Sequence, residues 1–292
     1  MDEVLVIGGS GFVGSHTADS LTESGFKVTI FDKNISPWMN DKQNFIEGDM
    51  MNLLELKEAM KHKKYVFHFG GVADIDEADE DPIAAIEANV MGTTLSVSAA
   101  SNMDVSRFIF GSTIYVYSPY GSIYRASKQA SETIIEAYSK HSNLNYTFLR
   151  YGSLYGPRAQ NWNGLKNRVS EIIKNKKLIY NGTGDEQREY IYVKDAADMS
   201  VECLSDEYIN QAITLTGQQT IDSKSLIDMI FEIADIKKNV EFRKKNVKSN
   251  QHYVNTPYRY TPKTSKKIVP KNFKDFGQGL LEVIEEVSNN EM

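Results

Sequence analysis

Cysteine is nearly absent from this chain. Cys203 stands alone, so no disulfide framework can form within it, and its apolar surroundings read as core rather than as a nucleophile's site. Histidine is scarce: five residues, none clustered at metal-ligand spacing, so no metal site is expected. Positive charge is not in excess. With 33 Lys and Arg against 39 Asp and Glu, the formal net charge is -6 and the pI is near 5.5, which argues against the basic face of a general nucleic-acid binder. No apolar run looks long enough to span a bilayer. The start Met1-Asp2-Glu3 leads directly into an apolar strand with no basic flank, so no signal peptide is expected. Together these predict a soluble, cytoplasmic protein that binds neither membrane nor nucleic acid.

What is present is a strict alternation. Short apolar runs at Val4–Ile7, Lys27–Phe31, Tyr65–Phe69, Arg107–Phe110 and Asn145–Arg150 read as buried strands. Between them Phe12–Glu23, Asn52–Lys61, Asp81–Ala100 and Ile123–Lys140 read as helices, with Pro82 tolerated in a first turn. This spacing predicts an α/β fold, a parallel sheet with helices on both faces. After Gly152 the pattern loosens. Trp162–Asn175, Lys194–Asp206, Asp222–Ala234 and Phe276–Val287 are predicted helices, Lys177–Tyr180 and Ala212–Leu215 short strands, and Phe242–Thr264 an irregular surface segment. The 292 residues thus divide into 1–152 and a smaller α/β lobe, 153–292, some of whose segments return to the main sheet.

The first strand ends in Gly8-Gly9-Ser10-Gly11-Phe12-Val13-Gly14. Glycines at 8, 11 and 14, between a strand and a helix, allow a tight turn and let a pyrophosphate approach backbone amides at a helix N-terminus. This is a dinucleotide-binding turn of the Rossmann, doubly wound type. Asp32 ends the second strand. A carboxylate there accepts hydrogen bonds from a ribose diol and repels a 2′-phosphate, which favours NAD over NADP. Lys33 slightly weakens that exclusion. Asp49 and Met50 follow a third short strand and flank the adenine in this reading.

Tyr124 and Lys128 are four apart on a predicted helix, hence on one face. An ammonium there is expected to lower the phenol's pKa and to bond the nicotinamide ribose. Ser112 and Thr113, at the end of the preceding strand, can hydrogen-bond a substrate oxygen.

With these motifs the chain resembles the extended short-chain dehydrogenase/reductases, in their NAD-dependent nucleotide-sugar epimerase/dehydratase branch. Asn89-Val90-Met91-Gly92-Thr93, Leu149-Arg150-Tyr151 with Leu154-Tyr155-Gly156-Pro157-Arg158, and Gly182 to Val193 around Arg188-Glu189-Tyr190 add to the likeness. The resemblance implies that Thr113, Tyr124 and Lys128 are the catalytic triad. It implies that Gly70, Gly71 and Val72 pass the cofactor ribose, that Asn89 is the helix-borne Asn of the cofactor site, and that Tyr151 lies beside the nicotinamide. Arg188, Arg158 and Ser153 fall to the nucleotide-diphosphate sugar, Arg188 on the diphosphate or else paired with Glu186 or Glu189. A homodimer through Asp81–Ala100 and Ile123–Lys140 is implied by family habit.

Departures narrow the reaction. Sugar 4,6-dehydratases of this family carry Asp-Glu after the threonine, and the decarboxylases a glutamate in that stretch; here stand Ile114 and Tyr115. The Cys and His of C3/C5 epimerases are also missing. Hydride and single-proton exchange at C4 remains, as epimerisation or as net dehydrogenation; a non-catalytic NAD-binding regulator is the alternative of another class. The segment from Tyr117 to Ile123 is shorter than in most relatives, and Ser153 replaces an Asn, so UDP, GDP and CDP all stay open. The string from Tyr124 to Glu132 is similar to proteins of surface-polysaccharide pathways that handle unusual sugars such as heptoses.

Overall fold

A computed structural model describes residues 1–243 and Pro257; the predicted helix Phe276–Val287 and most of the segment Phe242–Thr264 lie outside the described residues. Seven parallel strands form the main sheet: β1 (Glu3–Ile7), β2 (Lys27–Asp32), β3 (Asn44–Glu47), β4 (Tyr65–His68), β5 (Arg107–Thr113), β6 (Asn145–Tyr151) and, from the second half, β10 (Gln211–Leu215). Their order is β10-β6-β5-β4-β1-β2-β3. Reading 3-2-1-4-5-6 with one added edge strand, this is the doubly wound Rossmann order, as the alternating sequence predicts. Val4, Leu5, Val6, Phe67, Phe108 and Ile109 are wholly buried, because both faces of a parallel sheet are covered.

On one face lie α2 (Leu53–Ala59), α5 (Gly92–Ser101) and α6 (Ser122–His141), contributing Leu56, Val97 and Ile135 to the core. On the other lie α1 (Phe12–Glu23) and α8 (Val193–Glu202), with Ala18, Leu21 and Ala196. The main-sheet layer therefore takes β10 and α8 from beyond residue 152. Buried Arg107 ties the turn after α8 to β5, donating to the Cys203, Leu204 and Ser205 carbonyls. Cys203 is 3 % exposed in this core, and burial pushes its thiol up to about 11.

The segment expected as one helix from Asp81 is more complex. Before it comes an unanticipated α3 (Ile75–Glu80), so acidic that only Ile75 and Ala78 are buried. Asp81 then caps α4 (Pro82–Ile86), accepting from the Ala84 amide at 3.0 Å. A π-turn over Glu87–Met91 leads into α5. The continuous helix Pro82–Ser101 is long and apolar enough to cross a membrane by length and composition, which corrects the expectation that no stretch is. Part of its apolar character serves the core, as Val97, Ala99 and Ala100 pack under the sheet.

The smaller lobe holds β7 (Ser153–Tyr155), α7 (Gly164–Asn175), β8 (Leu178–Asn181), β9 (Gln187–Tyr192), β11 (Thr220–Asp222), α9 (Ser223–Ile233) and β12 (Val240–Arg243). Phe242 and Arg243, expected in an irregular segment, pair with Tyr180 and Asn181 in a parallel two-strand ribbon. β9 lies between β11 and β7. Its pairing of Ser153 with Tyr190 and Arg188 with Ile221 brings Ser153 close to the Arg188 strand.

Candidate active site

The C-terminal ends of the parallel strands open into a cavity of about 1300 Å³ that runs from the glycine turn to the smaller lobe. A crevice there is where such sheets bind ligands. Gly8, Gly11, Phe12, Val13 and Gly14 line one end. Gly14 must be glycine, since a Cβ would collide with the Gly8 carbonyl, and Gly8 itself has φ +75. The helix behind begins at Gly11 with no side-chain cap and no acidic residue in its first turn, which leaves its amides and dipole to an anion. Asp32 also lines the cavity, where the Ser10 amide holds its carboxylate at 3.1 Å. Lys33 lines it too but is ion-paired with Asp49 at 3.0 Å. Backbone cradle, bare helix terminus and carboxylate together fit a dinucleotide.

Several expected cofactor residues have other positions. Asp49 is not on the cavity wall: it accepts from the Met51 amide and pairs with Lys33, and these contacts hold its carboxyl below the ordinary value. Met50, Gly70 and Gly71 do line the cavity. Val72 and Asn89 do not; they hold the loop from behind. The buried Asn89 amide accepts from the Val72 N–H at 2.8 Å and donates to its carbonyl at 2.9 Å and to Ser127 Oγ at 2.9 Å. Its place in the π-turn accounts for its reach, since such insertions redirect side chains at functional sites.

The triad residues converge on the cavity. β5 carries Ser112 and Thr113 to its end, and α6 begins after Gly121 (φ +94) and presents Tyr124 and Lys128. Thr113 accepts from the Tyr115 amide at 3.2 Å and is hydrogen-bonded to the Tyr124 phenol. Lys128 donates to the Gly111 carbonyl at 2.9 Å and lies over the Phe110 ring. Burial pushes the Tyr124 phenol up to about 12, opposed by the Thr113 hydrogen bond. This corrects the expectation of a lowered phenol: burial raises it, and the Lys128 ammonium is turned to the Gly111 carbonyl. Burial likewise brings Lys128 down to about 8, with Glu132 opposing.

Tyr151 lines the cavity with its hydroxyl on Ser200 at 2.6 Å, and burial pushes that hydroxyl up. Ser153 and Arg188 line the far end, where Arg188 also donates to the Gln187 carbonyl. Arg158 is not on the wall. It has φ +64, pairs with Asp19 of α1 at 2.8 Å and lies over the Trp38 ring, so its guanidinium is spent on joining α1 to the loop after β7. Sequence reasoning missed Arg168, which lies over Tyr180 and donates to the Tyr190 hydroxyl at 3.2 Å, and Tyr115, whose ring meets that of Tyr124 edge-on. The aromatic richness of residues 115–124 was the available signal for the second; none pointed to the first.

The family model for NAD-dependent epimerases/dehydratases matches residues 4–212. The chain belongs to this family. As a member it is an NAD-dependent enzyme of the extended short-chain dehydrogenase/reductase type, related to nucleotide-sugar 4-epimerases. It is similar to a UDP-glucose 4-epimerase of Rhizobium leguminosarum bv. trifolii, 26% identical over 283 residues that cover 82% of this chain and 85% of the relative. It is also similar to a UDP-N-acetyl-alpha-D-glucosaminuronate decarboxylase of Bacillus cytotoxicus, 28% identical over 256 residues, 78% of each chain. The fold matches a Bacillus cereus UDP-glucuronic acid 4-epimerase solved with UDP-glucuronic acid and NAD, with TM-score 0.80, 22% identity, and 90% and 95% of the two chains covered.

Proposed function

We propose that this family member is a nucleotide-sugar 4-epimerase, acting by reversible oxidation of a sugar carbinol at C4. One observation carries the reading: Thr113, Tyr124 and Lys128 share one cavity wall with the glycine turn, while the two positions after Thr113 are Ile114 and Tyr115. Relatives at similar identity include both an epimerase and a decarboxylase, so the residues at the site, more than overall likeness, argue for the reaction.

When held by the glycine turn and Asp32, NAD would supply a reversible hydride acceptor. The chain's own part is proton handling. Thr113 orients the carbinol oxygen by hydrogen bonding. Tyr124 takes the hydroxyl proton during oxidation and returns it after the sugar has turned its other face. Burial pushes the phenol up to about 12, so Tyr124 must first release its own proton to solvent before it can take the carbinol's. Lys128, one helical turn on, is the ammonium available to stabilise the phenolate in the forward step. Arg188 is the candidate diphosphate contact, because a guanidinium matches phosphate oxygens geometrically.

The test is incubation of purified protein with UDP-, GDP- and CDP-sugars and NMR of the products. A C4 epimer without net NADH is expected. Accumulating NADH with a 4-keto sugar would make it a 4-dehydrogenase, and retained NAD with no product from any sugar would overturn the enzymatic reading. The same reading includes a homodimer through the helices Pro82–Ser101 and α6, where Ile83, Ile86 and Met91 are exposed; a monomer by light scattering would reject it.

A further inference from the structure

The α6 face that carries Tyr124 and Lys128 continues one turn further to Glu132, which is only 7 % exposed. Its Oε1 accepts from the Ser112 hydroxyl at 2.6 Å and from Arg150 Nε at 3.0 Å, and its Oε2 from the other arm of Arg150 at 2.7 Å. Ser112 directly precedes Thr113 at the end of β5, and Arg150 directly precedes Tyr151 at the end of β6. Arg150 also donates to the Tyr117 hydroxyl at 2.6 Å and lies over its ring. That hydroxyl stands 3.4 Å from Thr214 on β10. One carboxylate thus joins the helix that bears the proton-transfer group to the strand ends that bear its partners.

We propose that Glu132 is a positioning residue for the 4-epimerase chemistry proposed above, locking α6 to β5 so that the Thr113 and Tyr124 hydroxyls meet the same oxygen, and setting a fixed negative charge one turn from the Lys128 ammonium. The inference rests on that functional reading. Stability alone does not explain the pair, since a buried ion pair is often replaced by apolar residues at no loss. Its geometry explains more, because Ser112 directly precedes Thr113 of the triad and Arg150 directly precedes Tyr151 of the cavity wall.

The surroundings leave Glu132 as the charge that sustains Lys128. Lys128 faces the Phe110 ring and the Gly111 carbonyl on β5, and His68 on β4, which burial holds neutral with its pKa down to about 3. Around Glu132 stand Arg150 and Tyr146 of β6, Ser112 of β5, Tyr117, and Glu136 on its own helix.

Two variants of the full-length protein test this. Glu132→Gln removes the charge but strands Arg150; Glu132→Gln with Arg150→Met removes both charges and protects folding. In each, kcat is expected to fall about tenfold or more with KM little changed, and the alkaline limb of the kcat profile to move down by about one pH unit, less in the double variant. Glu132→Asp is expected to restore the limb but not kcat, because its shorter reach loosens the brace. Lowered melting temperature with kcat and pH limb intact would overturn the proposal and leave a purely structural pair. If the wild type turns over no nucleotide sugar, the functional reading fails by itself. The Lys128 titration, followed by NMR of protein labelled at the lysine ε-carbon and assigned with Lys128→Met, then still decides: an unmoved midpoint in Glu132→Gln overturns the charge role.

Discussion

The Thr113 hydroxyl at the end of β5 is hydrogen-bonded to the Tyr124 phenol in the first turn of α6. In the proposed mechanism that contact marks where the reacting oxygen would sit, since both hydroxyls must reach it. It also makes the proton-transfer role directly testable. Tyr124→Phe keeps the ring and its edge contact with Tyr115, and removes only the hydroxyl. Turnover is expected to fall by about 10²–10⁴-fold with NAD affinity unchanged in calorimetry. Near-normal turnover would transfer the role to another group.

Lys128 is held at a cost. Its folded pKa near 8 lies below the ordinary 10.5 because of burial, so between those pH values the unfolded chain binds more protons than the folded one. Stability from this group therefore rises with pH through the window from about 8 to 10.5 and is at its lowest below 8. Lys128→Met is expected to abolish catalysis yet stabilise the fold by about 1–2 kcal/mol near pH 7, a value discounted for the lost Gly111 bond. Urea unfolding at several pH values checks this: the variant's advantage should shrink as the pH climbs above 8.

Asp32 lines the cavity at the end of β2, where its carboxylate makes the preference for NAD over NADP testable. Lys33 is already tied to Asp49, which leaves it less able to offset the carboxylate's repulsion of a 2′-phosphate. Asp32→Ala is expected to shift the NADP-to-NAD affinity ratio by on the order of tenfold toward NADP. Titration with both cofactors measures it, and an unchanged ratio would refute the assignment.

Arg188 and Arg158 differ in placement, and the difference is testable. Arg188→Ala is expected to raise KM for the nucleotide sugar, since its side chain lines the cavity. Arg158→Ala should leave KM alone and destabilise by about 1 kcal/mol or less, as a partly exposed ion pair with Asp19 is lost. A KM effect at Arg158 would contradict its placement away from the cavity.

The main sheet and its cofactor turn were legible in the sequence because they are local. Strand β1, the glycines at 8, 11 and 14, and helix α1 form one continuous stretch, and Phe12–Glu23 is a helix with the very bounds its pattern predicts. Of the smaller lobe's strands, β8 matches the predicted Lys177–Tyr180 closely, but the others were not legible. β7 and β11 are three residues long and exist through pairing with β9, so their periodicity carries too little signal. The position of the Arg158 side chain is not legible for a related reason: its motif neighbours set the loop's path, but Asp19, far away in sequence, pairs with it.

The sequence by itself determined the cofactor turn, the Tyr124–Lys128 face and the absence of acids after Thr113, because each is a matter of residue type and spacing along one segment. The tertiary structure alone decided the protonation balance and the bracing of the site. Whether a lysine lowers a tyrosine's pKa depends on which atoms surround both, and here burial raises the Tyr124 phenol while the Lys128 ammonium is held by the Gly111 carbonyl. The carboxylate of Glu132 likewise acquires meaning only when folding carries Ser112 and Arg150 to it.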